Sequence, residues 1–259
     1  MKQRDHSIND RFQEYSKKKK IMSDGAYGTL LVAPALIILL FFGLFPLFYA
    51  INLSLRHVDL TSGLTGWPFV GLDNFRNALN NNVFFEASAR TGFFALVSVS
   101  IQMILGISLA FLIYRLKWLK GIIRALFLLP LASAPAAVGM IWRYLYDSDF
   151  GVYNEALKAI GLQPLNWLGN SNVALFSIII FDVWQWTPFI LLITLAGLQS
   201  LPKEPFEAAE LDGASTFRVL RRLTFPMLAP VLTFIFILRS IDAARLYDPI
   251  ATTTRGGPG

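Results

Sequence analysis

The sequence predicts an all-α, polytopic transmembrane helix bundle, and three observations carry that prediction. Of its 259 residues, 54% are hydrophobic and only 15% are charged, against roughly 25% charge in an ordinary soluble domain. Five apolar runs are each long enough to cross a hydrocarbon core, which takes about 20 residues. Inside a bilayer every backbone polar group must be satisfied within the chain, so these runs are helices. They are too long and too evenly apolar for the strands of a membrane barrel.

The first span, Thr29–Leu55, carries no charge, and neither does the second, Thr91–Tyr114. A third run is uncharged over Ala125–Trp142 and reaches Tyr146, giving a span over about 122–146. Pro130 and Pro135 interrupt it, with Ser133 and small residues around them. Proline kinks a span and small residues permit close helix approach. Val173–Leu201 contains one charge, Asp182. Leu223–Leu238 is uncharged and continues to Tyr247 through Arg239 and Asp242.

Orientation follows from the cations. Residues 1–28 form a basic tail with seven of the 23 Lys and Arg. With the N-terminus inside, the three inner segments hold fifteen Lys and Arg and the two outer loops hold five. Cytoplasmic loops carry the excess of positive charge, so the N-terminus is expected in the cytoplasm. The net charge of +6 is then a topology signal and not a nucleic-acid-binding face. The basic region is too long, and the apolar run after it too long, for a cleaved signal peptide. Trp67, Trp142, Tyr144, Tyr146, Tyr153 and Trp167 fall near the outer boundary, where an aromatic belt anchors a protein in lipid.

Chemistry of the catalytic kind is not signalled. No cysteine occurs, and His6 and His57 lack a second metal ligand at a useful spacing. No G-x-x-x-x-G-K-[ST] phosphate loop and no Ser/His/Asp nucleophile signature is present. No catalytic residue and no metal site is expected in this chain.

The segment between the last two spans carries the functional signal. Residues 202–226 include EAAELDGASTFRVLRRLTFP. Pro202 and Pro205 fit the first turn of a helix, and Phe206–Leu211 are good helix formers. Asp212-Gly213 breaks that helix, with Gly213 as a left-handed cap. Ser215 or Thr216 starts a second short helix. Pro226 and Pro230 mark the return to the membrane. The expected element is a compact helix–turn–helix on the inner face. Its small residues Ala208 and Ala209 admit a close partner, and Glu207 and Glu210 offer charge pairing.

The order EAA, three residues, Gly213, nine residues, LTFP resembles the EAA loop of the transmembrane permease subunits of binding-protein-dependent ABC importers. Leu223 and Phe225 stand where that pattern commonly has Ile and Leu. VGLDNF, FGVYNEALKAIGL, PLNWL, WQWTPF and the terminal GGPG resemble the sugar-uptake branch, the maltose and glycerol-phosphate type. The resemblance covers residue 29 to the end and implies the type I importer fold in the bacterial or archaeal cytoplasmic (inner) membrane. It implies that Glu207, Ala208, Ala209, Asp212, Gly213, Ala214, Phe217 and Pro226 dock onto ABC ATPase subunits. ATP and Mg would be bound by those partners and not by this chain. A second related permease subunit and an extracytoplasmic solute-binding protein are the other implied partners. The family normally carries six spans, so the chain reads as five spans with a sixth missing after the Gly/Pro-rich Thr254–Gly259.

Within the bilayer, Asp182, Gln185, Trp186 and Phe189 recur at helical spacing and share one face. Asp182 lies near mid-membrane, about 13 Å from the outer end at about 1.5 Å per residue. A carboxylate and an amide can bind hydroxyls and an indole can stack on a sugar. The face therefore reads either as a substrate path or as an interhelical polar contact. Trp184 points elsewhere and is expected to pack. Arg239 and Asp242, three residues apart, are expected to pair with each other. The resulting expectation is a sugar permease driven by a partner ATPase. The alternatives are a permease for glycerol phosphate, a polyol, an amino acid or a polyamine, and an ATP-independent secondary carrier.

Overall fold

A computed structural model describes residues 24–59, 67–116 and 120–258. Among these residues four helices are long and apolar enough to cross a membrane, and a bent helix pair supplies a fifth crossing. The basic tail lies outside the described residues up to position 23. The chain divides into two compact units, Met1–Phe84 and Phe85–Gly259.

In the first unit, α1 runs from Asp24 to Ser54. It is apolar on all sides, and none of its most apolar window is buried within the chain. An all-round apolar helix has its natural surroundings in lipid or against other spans. Beyond it, Arg56 forms an antiparallel bridge to Phe69, and its guanidinium donates to the Trp67 carbonyl at 2.9 Å. Asn74, of the VGLDNF stretch, donates to the carbonyls of Ser54 and Arg56, at 2.8 Å each. One amide thereby pins the short helix α2, Asp73–Leu79, to the end of α1.

The second unit is organised around α7, Ser171–Ser200. The Asn170 side chain caps its start by accepting from the N–H groups of Asn172 and Val173. Its most apolar window is 61% buried, against 33% for α3, Asn82–Arg115, so α7 is the central span. Toward its C-terminal end α7 packs Leu191, Leu195 and Leu198 against Ala110, Ile113 and Leu228. Toward its N-terminal end Ile178 and Ile179 meet Phe94, Val99 and Ala243. Gly106 lets α3 approach closely: a Cβ there would fall 2.7 Å from Ile190 side-chain carbons.

The third span is not one rod. It is two helices, α4 (Lys120–Ala132) and α5 (Pro135–Leu145), bent by 94°. Pro130 removes one N–H and crowds the preceding turn. The Ser133 hydroxyl donates to the Leu129 carbonyl at 2.8 Å. Ala134, held extended at ψ 126° before Pro135, completes the corner. The proline spacing signals a kink, but its size depends on how α5 packs.

Several residues expected in an interfacial belt are core residues instead. Trp142 and Tyr146 are buried with Val138 and Phe181, and Tyr153 and Trp167 pack against them. The Tyr146 hydroxyl donates to the Ser177 carbonyl at 2.8 Å. Burial pushes the Tyr153 phenol above its ordinary range. The loop around them, with α6 (Val152–Ala159), is tied by Asn154. Its amide donates to the Leu165 carbonyl at 3.1 Å, and its carbonyl oxygen accepts from Leu165 N–H at 3.0 Å and Trp167 Nε1 at 2.9 Å. This clamp explains why FGVYNEALKAIGL and PLNWL occur together.

After α7 come the short helix α8, Glu204–Leu211, and then α9, Thr216–Val219. The second elbow helix does not stop before the membrane. It runs through a π turn, Leu220–Thr224, into α10, Phe225–Ala244. Pro226 and Pro230 lie inside this rod, Pro226 just after the π turn and Pro230 within α10. The short α11, Asp248–Thr253, packs on α5.

Candidate functional site: an exposed elbow and a buried polar cluster

The elbow between α7 and α10 is built by its backbone. Leu201 leaves α7 extended, at ψ 136°. Glu204 and Glu207 sit in the first turn of α8, where carboxylates complement the helix dipole. Gly213, at φ +66°, ends α8. The N–H of Ala214 bonds the Ala209 carbonyl at 2.9 Å, and that of Gly213 the Glu210 carbonyl at 3.0 Å. This is a Schellman closure, which needs a residue tolerant of the left-handed region. Ser215, extended at ψ 150°, starts α9. Nothing lies within 4 Å of a Cβ on Gly213, so conformation alone selects glycine there.

Glu207, Ala208, Asp212, Gly213, Phe217 and Pro226 are exposed, and Ala209 and Ala214 are half-buried. Leu211 is 90% and Phe217 73% exposed. Two bare apolar side chains thus flank the tight turn. Leu211 lies within the predicted element but is not singled out by the motif. Behind α8 lies a cavity of about 420 Å³, lined among others by Phe111, Tyr114, Leu198, Phe206, Val219 and Thr224.

A polar cluster is buried between the spans. Asp182 accepts from Gln102 Nε2 at 2.6 Å and from the Ser98 hydroxyl. Arg239 donates to both Asp182 oxygens, at 3.1 and 3.3 Å, and through Nε to Gln102 Oε1 at 3.0 Å. Asp182, Arg239, Ser98 and Gln102 are all buried. The expected Arg239–Asp242 pair is present but looser, at 3.8 Å, with Asp242 half exposed. The closer partner of Arg239 is thus Asp182 on another helix, because a fully buried guanidinium needs a fully buried counter-ion.

Trp186 lies under Arg239, whose guanidinium carbon is 4.6 Å from the indole centroid. Phe189 meets Trp186 edge-on at 6.1 Å. Gln185 is buried, and its Oε1 has no hydrogen-bond partner among the described residues. The four residues of the α7 face therefore divide. Asp182 is turned into the cluster, while Trp186 and Phe189 keep half-exposed rings. Charge-based reading missed Ser98 and Gln102. The signal for them is a serine and a glutamine one helical turn apart in a charge-free span.

Residues 102–258 match the family described as the inner membrane component of binding-protein-dependent transport systems. The chain belongs to this family of transport permeases. A relative within it, the trehalose/maltose transport system permease protein MalF of Thermococcus litoralis, is 41% identical over 233 residues, covering 90% of this chain and 78% of that protein. The trehalose transport system permease protein SugA of Mycobacterium tuberculosis is 31% identical over 242 residues, covering 93% and 77%. Among solved structures, a bacterial ABC transporter involved in import of the acidic polysaccharide alginate superposes with a TM-score of 0.72 at 22% identity, covering 94% of this permease and 80% of that chain. The ABC importer permease fold expected from the elbow motif is the fold observed.

Proposed function

We propose that the chain is the membrane-spanning permease subunit of an ATP-driven importer for a sugar or related carbohydrate. The exposed elbow α8–Gly213–α9 carries this reading. It is a rigid, left-handed-capped turn presenting Glu207, Ala208, Leu211, Asp212 and Phe217, and its geometry suits docking onto an ATPase. The N-terminus and the elbow lie in the cytoplasm. ATP and Mg are bound by the partner ATPase subunits, and this chain performs no chemistry. A second permease subunit completes the path, and an extracytoplasmic binding protein delivers the solute. The names of the trehalose, maltose and alginate importers support a saccharide cargo.

The half-exposed Trp186 and Phe189 rings form the apolar wall of the proposed path. The spare Gln185 carbonyl is its polar element, and Asp182, held by Arg239, backs the wall from within the cluster. An aromatic face beside a few fixed polar groups is the usual composition of a small-ligand site.

The test is reconstitution with the ATPase subunits and the binding protein in proteoliposomes. Trehalose- or maltose-loaded binding protein should stimulate ATP hydrolysis. Gly213→Val and Glu207→Gln should lose that stimulation while inserting normally. Full stimulation in both variants would remove the docking assignment. Sugar uptake driven by an ion gradient without ATPase would remove the importer assignment.

A further inference from the structure

The rod that leaves the elbow contains one feature that docking does not require. Between α9 and α10 the helix widens into a π turn, Leu220–Thr224. The N–H of Phe225 bonds the carbonyl of Leu220, five residues back. Such turns are rare, arise from one surplus residue and concentrate at functional sites. Two local features explain its stability here. Pro226 has no N–H, so the carbonyl of Arg222 cannot receive its α-helical bond in any case. The Thr224 hydroxyl reaches the Val219 carbonyl at 3.4 Å and covers a group that the widening loosens. The α and π forms of this turn are therefore closer in free energy than in an ordinary helix.

A second observation concerns the space beside the turn. Val219, Leu220 and Thr224 line the cavity of about 420 Å³ behind α8. Phe206, Glu207 and Glu210 of the elbow line it too, with Phe111 and Tyr114 from α3. Close packing is the rule inside proteins, and packed elements resist displacement. Here the elbow stands off from the ends of the spans at the very place where the rod carries slack.

We propose that the π turn is a one-residue joint at the base of the fifth span, and that the cavity is the clearance into which the elbow moves. Losing or regaining the surplus residue rotates one end of the rod against the other by about 100° and shifts it by about 1.5 Å. A side chain at about 5 Å from the axis then travels roughly 8 Å. The elbow thus changes azimuth under the ATPase while α10 keeps its packing in the membrane. The joint rests on the reading of the elbow as the ATPase-docking element.

The absence of native cysteine makes the joint directly measurable. Arg218→Cys and Leu112→Cys place spin labels at exposed positions on α9 and α3. In the reconstituted importer, electron–electron distances are read without nucleotide and after vanadate trapping. A shift of about 4 Å or more between the two states is expected in the otherwise unaltered chain. Thr224→Ala with Pro226→Ala, which restores the α-helical bond, should at least halve that shift. Leu201→Phe, which enters the clearance from the end of α7 without touching the turn, should do the same. Both should lower sugar imported per ATP about tenfold while the ATPase still co-purifies. A shift below about 1 Å in the parent with ATPase bound overturns the joint, as does unchanged transport in both variants. Failure of the ATPase to co-purify with the parent counts instead against the docking elbow.

Discussion

Replacing Asp182 by leucine tests whether the buried cluster holds the spans together. The substitution leaves the Arg239 guanidinium 1% exposed and without either Asp182 oxygen, the acceptors of its Nη2. Removing one partner of a buried ion pair costs about 3–5 kcal/mol. Gln102 Oε1 still accepts from Nε at 3.0 Å, and Asp242, half exposed, still lies 3.8 Å away. These two place the cost at the lower end, about 3 kcal/mol. For a chain of this length each kcal/mol moves the melting midpoint by about 2–4 °C. The detergent-solubilised Asp182→Leu protein should therefore melt about 6–12 °C below the parent, with insertion into membranes unchanged. Arg239→Leu should be impaired to a similar degree. The double variant, which leaves no lone charge, should recover to within about 1 kcal/mol of the parent. That recovery is a coupling of about 2–3 kcal/mol or more between residues in contact. Melting of Asp182→Leu within about 2 °C of the parent would refute the reasoning, as would a double variant damaged by the sum of the two single losses.

Three further outcomes follow from single side chains. Gly106→Ala should destabilise by about 1–3 kcal/mol, since its Cβ meets Ile190 at 2.7 Å; Gly92→Ala, with open space around it, should be neutral or slightly stabilising in the same melting assay. At the elbow, Gly213→Asn should keep more sugar-stimulated ATPase activity than Gly213→Val. Asparagine tolerates the left-handed region, which costs a β-branched residue about 1–2 kcal/mol. Asn154→Ala removes the acceptor of Trp167 Nε1 and both bonds to Leu165. It should cost about 2–3 kcal/mol and shift tryptophan emission to longer wavelength, and an unmoved spectrum would contradict the clamp.

Local chemistry made some parts of this molecule legible in the sequence. The elbow is one, because Pro205, the helix-forming run to Leu211, Gly213 and Ser215 each act on their own backbone. The long apolar spans are another, because lipid leaves their backbones no alternative. Features set by distant partners were not legible. Arg239 is three residues from Asp242, which the sequence offers as its partner, yet it bonds Asp182, 57 positions away. Trp142 and Tyr146 have the composition of a lipid belt but find Phe181, Tyr153 and Trp167 instead. The right angle between α4 and α5 follows from Pro130 and Pro135 only once α5 has α11 to pack on.

The buried cluster and the elbow are two ends of one mechanical unit. α7 runs from Asp182 to Ser200, about 27 Å at about 1.5 Å per residue. The rod returns from Phe225 to Arg239, about 21 Å by the same measure. The elbow joins the two spans at one end, and the Asp182–Arg239 pair, with Gln102 from α3, joins them at depth. Ionic contacts of this kind are expensive to break and geometrically specific. A displacement applied at the elbow is therefore not absorbed by separating the spans at mid-depth. It must appear either as slip near the elbow, where the π turn and the cavity lie, or as tilting of both spans about the ion pair. Trp186 and Phe189 sit within two turns of that pivot, on the same face of α7 as Asp182. Tilting about the pair would turn those rings, so the proposed path would open and close at the fulcrum and not at the end of the lever.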